Sequence, residues 1–550
     1  MMTTATAAQS AGISTVPSPT GGVDFDSPLY GMPPENAIRL VNWWTEVYGC
    51  THRRGYAVWA DDLPGNVGSI YTFHTRSGQS FLYAFAGAGM YDVTTKDTVS
   101  PPPARTPVVS GLTTSIWQAT MFSNSAGTHK VLVSGQDDPI WVHQPTAPAV
   151  VYDRLVSGNG TDPGTIRGIT GTSSSPTVIP VNPKDFIDVM IHQKRVWFVE
   201  KDTCNAWYLP PEQVYGDARK FDFGPLFKRG GFLQSLATWT VGGGEGTTDC
   251  LVAFGSEGDV AVYTGIDPDS ADTWSLKGVF YAGALLQGHR FHTKVAGDLK
   301  FLTTQGLISM NNMFTSNVAA GPQSNVEAKP VQQFLSEQAS QFGFLNGWDF
   351  KFVPSINMLI INIPSVVQDG SLQLVENVVN TKWSTFLGLD ASCWCTDYQE
   401  VPFFARDNRV CQGWTGHTDE VSIDDPAGKP ITALVQQAYN YFGTPANNKQ
   451  IGLFRPNFLT DRRVVWKAAI GYNFKLDTVV LQINPPQPGI PLWDEAIWDQ
   501  ARWSGGLHTQ MQWASAQGCG INASLIMATR SDGEVVWVTT DWTISSGGIL

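Results

Sequence analysis

Several residues in this chain could do chemistry, but their spacing fits no familiar reaction. Cys393 and Cys395, with Cys411 further on, offer thiolates for a soft metal. A tetrahedral site needs four ligands, and no second close pair or histidine completes one, so they read as buried structural thiols. Of nine histidines, His289 and His292 stand closest together, and neither has an evident set of metal partners. Asp267-Pro268-Asp269-Ser270-Ala271-Asp272 opens like a calcium loop. Such a loop needs glycine at its sixth position and glutamate at its twelfth, where Asp272 and Gly278 stand. The acid pairs Asp61-Asp62, Asp137-Asp138 and Asp424-Asp425 fall in expected turns, which favour Asp for backbone reasons. Glycoside hydrolysis needs two carboxylates converging across a cleft, and spacing alone does not give that. The glycines of 242–246 lack the helix that a phosphate loop places immediately after them. Arg53-Arg54 have no basic surroundings and read as solvated or paired side chains, not a phosphate clamp. There is no G-x-S-x-G elbow, H-E-x-x-H pair, Walker loop or kinase set. The expectation is therefore a chain that is not an enzyme, with no catalytic, cofactor-binding or metal residues and no cofactor.

The elements that would position side chains are far more legible. Phe81–Thr94 alternates through Phe81, Tyr83 and Phe85, reaches Gly87-Ala88-Gly89, and leaves through Met90, Tyr91 and Val93. Alternation at period two with aromatic and β-branched residues marks a strand with one buried face. Glycines between two such runs supply a tight hairpin turn. The pattern recurs at 131–142, 195–209, 251–265, 299–311 and 403–416, and more loosely at 357–375. These units return roughly every 50 residues, in the period range of propeller blades. Asn325–Phe342 is the one credible helix between them, with Ala328, Val331, Phe334, Leu335 and Ala339 near helical spacing. Pro101–Pro107 and Gly158–Pro183 are rich in Pro, Gly and Ser and read as exposed loops. Residues 37–44 read as one extended aromatic strand, and Trp43, Trp44 and Trp59 as core packing.

Composition bounds the rest. The chain has 550 residues, 42% apolar and 15% charged, which suits a folded protein of two or three domains. Its net charge is −13, and it has no Lys/Arg block, so it does not wrap nucleic acid through phosphate contacts. An acidic wall could still line a passage for DNA, because like-charge repulsion keeps the polymer from sticking. Seven cysteines at irregular spacing give no disulfide framework and suggest a reducing compartment. No signal peptide is expected, and no run approaches a membrane span. Residues 1–34 lack periodicity and read as a flexible N-terminal arm. Residues 35–425 read as a β-propeller of about six blades with long inter-blade loops. Residues 426–550 resume alternation and read as a C-terminal β-sandwich-like domain. Trp493, Trp498 and Trp503 recur every five residues, which matches neither strand nor helix period; they read as pegs in an irregular loop.

Particular wording within this frame is similar to one family. Asn42, the Arg53-Arg54-Gly55-Tyr56 turn and Trp59 before Leu63-Pro64-Gly65 resemble the opening of the tail hub, or nozzle, proteins of short-tailed bacteriophages. The hairpin at Phe85–Thr94 is similar too. So are Asn380–Phe386 with Val410, Gly413-Trp414 and Asp419, and Ala438–Gly443 before Lys449 and Arg455-Pro456-Phe458. The resemblance covers roughly residues 36–95 and 355–500 and implies a structural virion protein, a propeller protomer of a homohexameric ring. That ring would form the distal part of the DNA channel, retain the genome, and conduct it during ejection. The implied partners are other copies of the chain, a portal-adaptor protein, tail fibres or spikes, and double-stranded DNA in transit. The implied location is the virion tail, after synthesis in the host cytoplasm. The competing expectation is a β-propeller that binds or hydrolyses glycans during receptor interaction, although no sugar-binding motif repeats from blade to blade.

Overall fold

The computed structural model describes residues 12–549 apart from 77, 126, 135–137, 139, 147–148, 173–174, 244–245, 316–327, 365–370, 476–481 and 484–505. Strands joined by tight turns pair antiparallel with their chain neighbours, as alternating sequence between glycine and aspartate turns dictates. Six segments form four-stranded meanders: 67–110, 118–157, 186–222, 233–281, 349–386, and 393–413 completed by Tyr56–Ala60. A seventh, 292–309, has three strands. The first strands of these units lie side by side, and Cys393–Thr396 packs back against Val67–His74, closing the circle. Separate apolar clusters fill the spaces between neighbouring units. Phe85, Trp117 and Leu132 join the first two, and Trp394, Phe404 and Met358 join the last two. The fold is a β-propeller, as the repeated hairpins predict.

Each hairpin read from sequence is present. Ser80–Ala86 pairs with Gly89–Asp92 across Gly87, which adopts φ +54°. Gly246–Gly255 pairs with Asp259–Gly265 across Gly258, at φ +91°. A Cβ at Gly258 would lie 2.3 Å from the carbonyl oxygen of Gly283, so no larger residue fits this turn. The helix is also present, as Gln332–Phe342, with Leu335, Ala339 and Phe342 buried.

The C-terminal strands form two sheets, one carrying Lys429–Gln437, Ala523–Ser531 and Val465–Tyr472, the other Asn447–Thr460 and Val535–Ile549. They share a core that includes Trp466, Phe454, Trp537 and Trp542. The chain's opening enters both sheets: Asn36–Val41 pairs with Lys429–Gln437, and Cys50–His52 with Val535–Ile549. Three expectations are corrected here. Residues 12–34 are not a free arm, because Gly12–Pro17 adds to Val535–Ile549 and buries Val16, while Gly22-Val23 pairs with Asn36–Val41. The extended run at 37–44 is two strands, broken where Asn42 takes φ +58°. The presumed loop 158–183 holds a strand pair, Thr165–Thr172 with Ser175–Ile179, whose Ile166 and Ile169 are buried. Residues 1–11 and the tryptophans at 493, 498 and 503 lie outside the described residues.

Candidate functional site

Where the first strands meet, a polar residue interrupts the apolar alternation near the start of almost every one. These are Ser69, Asp188, Ser235, His292 and Asp349, with Arg290 immediately before its strand. Arg290 spans the axis. Its guanidinium donates to Ser69 Oγ at 2.5 Å, Trp117 O at 3.0 Å, Gly68 O at 3.3 Å and Tyr71 OH at 3.3 Å. Asp349 Oδ2, 3.9 Å from Arg290, accepts from Trp394 N at 2.8 Å. Arg290 thereby ties the fifth unit to the first, to the entry of the second and to the sixth, and Asp349 carries the link on to the seventh. Burial raises the carboxyl of Asp349 despite Arg290 and Lys351 nearby.

Asp188 lies 6% exposed on the third unit, and burial pushes its carboxyl up to about 7. It accepts from Ser235 Oγ at 2.5 Å and from Val189 N at 2.9 Å. His292 Nε2 lies 3.0 Å from the same serine oxygen, and His289 Nδ1 lies 2.8 Å from Gln234 O. Burial lowers both imidazoles to about 4. Serine therefore bridges carboxylate and imidazole. A serine nucleophile needs the imidazole in the middle, able to take the hydroxyl proton. Tyr71, His289, Arg290 and His292 keep partial exposure although they stand among innermost strands, so water reaches these side chains.

A second cluster sits where the closing unit meets the C-terminal sheets. Arg53, 1% exposed, forms a two-pronged ion pair with Asp419 at 2.7 and 2.6 Å. Its Nε donates to Asn42 Oδ1 at 3.0 Å, and its terminal nitrogens donate to Arg54 O and Leu387 O, each at 3.1 Å. Asn42 Oδ1 also accepts from Leu387 N at 2.9 Å. Arg53 Cζ stands 6.0 Å from the ring centre of Phe386, and Trp414 stacks on that ring at 6.3 Å and meets Trp44 edge-on at 5.2 Å. Beside them lies a small recess lined by Arg54, Gly55, Phe386, Trp394 and Trp414 among others.

The structure brings together residues that the resemblance names in separate stretches: Asn42, Arg53, Phe386, Trp414 and Asp419 form this one clasp. Arg53 is paired, as expected, while Arg54 reaches His417 at the surface. Trp43 and Trp44 are core residues, and Trp59 donates to Val93 O at 2.8 Å. Cys393 and Cys395 lie in the core between the first and last units, and Cys411 in another cluster. Among the described residues no group of three or more His, Cys, Asp or Glu is placed to hold a metal ion. Asp267 and Asp269 do not gather round a cation position. They meet Arg195 and Arg219 of the preceding unit at 2.9 and 3.1 Å, and Tyr208 OH donates to Asp269 at 2.5 Å. His289 and His292 do converge, on the axis. Sequence reasoning missed Asp188, Ser235, Arg290 and Asp349. Their one signal was a polar residue at, or just before, the start of a strand.

No protein-family model and no curated protein matches the chain. Solved structures similar in fold include a candidate 6-phosphogluconolactonase from Bacteroides fragilis, at 11% identity and TM-score 0.33, covering 62% of this chain and 88% of that one. An exo-β-1,3-galactanase from Phanerochaete chrysosporium is 9% identical with TM-score 0.25, covering 78% and 97%. An arabinoxylan arabinofuranohydrolase of glycoside hydrolase family 43 from Bacillus subtilis is 10% identical with TM-score 0.23, covering 90% and 96%. All three are described as enzymes. The expectation that this chain is not an enzyme is corrected: motifs missing from the sequence do not exclude catalysis from a β-propeller.

Proposed function

We propose that this chain is a tail hub, or nozzle, component of a short-tailed bacteriophage, acting as a structural protomer of the distal DNA channel. The observation that carries this reading is the clasp. Segments resembling that family lie hundreds of residues apart, yet four of their residues gather around Arg53 and fasten the closing unit of the propeller to the C-terminal sheets. Family wording concentrated in an architectural joint is what a protein working through assembly would keep. On this reading a homohexameric ring sits below the portal-adaptor protein, contacts fibres or spikes, and retains and then conducts the genome. A net charge of −13 suits a wall along which DNA slides.

Gold-labelled antibody against this chain, imaged on intact phage particles, tests the reading. Label confined to the neck or tail tip is expected. Unlabelled particles beside a lysate containing the free protein would refute it. A second reading, a glycan-binding or glycan-hydrolysing propeller, draws on two buried carboxyl groups of the innermost strands, Asp188 and Asp349. Release of reducing sugar from host-surface glycan, lost in Asp349→Asn, would favour that reading.

A further inference from the structure

The axis gathers more positive charge than it neutralises. Arg290 spends its hydrogen bonds on neutral acceptors, the carbonyls of Gly68 and Trp117 and the hydroxyls of Ser69 and Tyr71. Lys130, 8% exposed, crosses from the second unit to donate to Thr72 O at 2.9 Å, with the Tyr71 ring centre 5.2 Å from its Nζ. Lys351 and Lys294 stand two residues beyond Asp349 and His292 on adjacent first strands, so by strand periodicity each shares a face with an axial residue. The charge of Lys351 acts on Lys130, His292 and Asp349, and that of Lys294 on His292 and His192. Against these cations stand Asp349 and Asp188, the latter held toward its neutral form by burial. Asp249, which acts on Lys294, is bound by Thr240 Oγ1 at 2.7 Å. Unneutralised charge screened from water, as at Lys130, is costly, and in a chain of net charge −13 its concentration with Lys351 and Lys294 on one axis marks an anion's place.

We propose that the propeller axis binds a small oxyanion, a phosphate or carboxylate group, with Lys351, Lys294 and Lys130 as its cationic partners. Ammonium groups suit this role because they donate to tetrahedral or planar oxyanions alike, without the fixed fork of a guanidinium. The inference stands apart from the tail reading, since a virion component and an enzyme could each carry such a site.

Titration calorimetry of the full chain at fixed ionic strength tests it, with inorganic phosphate and glucuronate as separate probes and chloride as control. Saturable binding of phosphate or glucuronate at one site per chain is expected, weakened about tenfold or more in Lys351→Gln, equivalent to about 1.4 kcal/mol. Lys294→Gln, at an exposed position, is expected to weaken it as well, and serves alone if Lys351→Gln fails to fold. Phosphate without glucuronate would identify a phosphate site, and the reverse a sugar-acid site. No saturable heat with either probe, or binding unchanged in the lysine variants, would overturn the proposal.

Discussion

Replacing Arg53 with methionine should test whether the clasp holds the propeller to its C-terminal sheets. The side chain is 1% exposed and makes five hydrogen bonds, two of them to Asp419. Its removal leaves a carboxylate that is 15% exposed without its counter-charge, and leaves Leu387 O and Asn42 Oδ1 each short of a donor. Breaking a buried pair from one side costs about 3–5 kcal/mol. With a urea dependence of about 3 kcal/mol per molar, the unfolding midpoint should fall by roughly 1–1.7 M. Tryptophan fluorescence reads the transition directly, because Trp44 and Trp414 flank the clasp. The double variant Arg53→Met/Asp419→Leu should recover part of the loss, since apolar replacement of both partners removes the stranded charge. A midpoint shift in Arg53→Met below about 0.3 M would refute the reasoning, as would a double variant no better than the single one.

Other predictions concern smaller groups. Gly55→Ala should destabilise the chain by about 3 kcal/mol or more, because a Cβ there would lie 1.8 Å from Thr418 O; a urea midpoint within error of wild type would count against it. Tyr208→Phe removes the 2.5 Å bond to Asp269 that ties the third unit to the fourth, and should cost about 1–2 kcal/mol by the same measurement. Burial lowers His52 to about 3 and His192, His289 and His292 to about 4. Unfolded histidine takes up its proton near pH 6.5, so stability should fall as pH drops from about 6.5 toward 4. Asp188 works in the opposite sense: with its carboxyl raised to about 7, it costs stability as pH rises from about 4 to 7. Stability measured across this range should therefore lose slope on the acid side in His292→Gln and gain stability toward neutral pH in Asp188→Asn.

The hairpins were legible because both determinants are local: alternation sets the buried face, and glycine or aspartate sets the turn. Phe403 to Val410 shows this, since strands Pro402–Arg406 and Arg409–Gly413 flank Asp407, at φ +53°. The axial site was not legible, because Arg290 meets Ser69 across 221 positions and each of its partners is ordinary in its own stretch. Arg53 and Asp419 are 366 positions apart, and a lone Arg-Arg pair in a turn carries no mark of a buried partner. The strand at residues 12–17 was missed for a related reason. Ala-, Ser- and Thr-rich sequence looks unstructured until an edge such as Val535–Ile549 supplies its hydrogen bonds.

The closure of the propeller by Tyr56–Ala60 against Arg409–Gly413 also imposes a timetable on synthesis. The early strand emerges from the ribosome long before its partner. At about 5–20 residues per second, the roughly 350 residues between them take on the order of half a minute to make. Gly12–Pro17 and Cys50–His52 wait longer, because Val535–Ile549 is made later still. Throughout that interval the opening of the chain presents unpaired edges and Trp43 and Trp44 to the cell. The intermediate units can fold as they appear, but the described fold is sealed only when these early and late strands meet. A nascent chain halted before residue 409 is therefore an open ring with adhesive edges, suited to holding by chaperones or to premature pairing with a neighbouring copy.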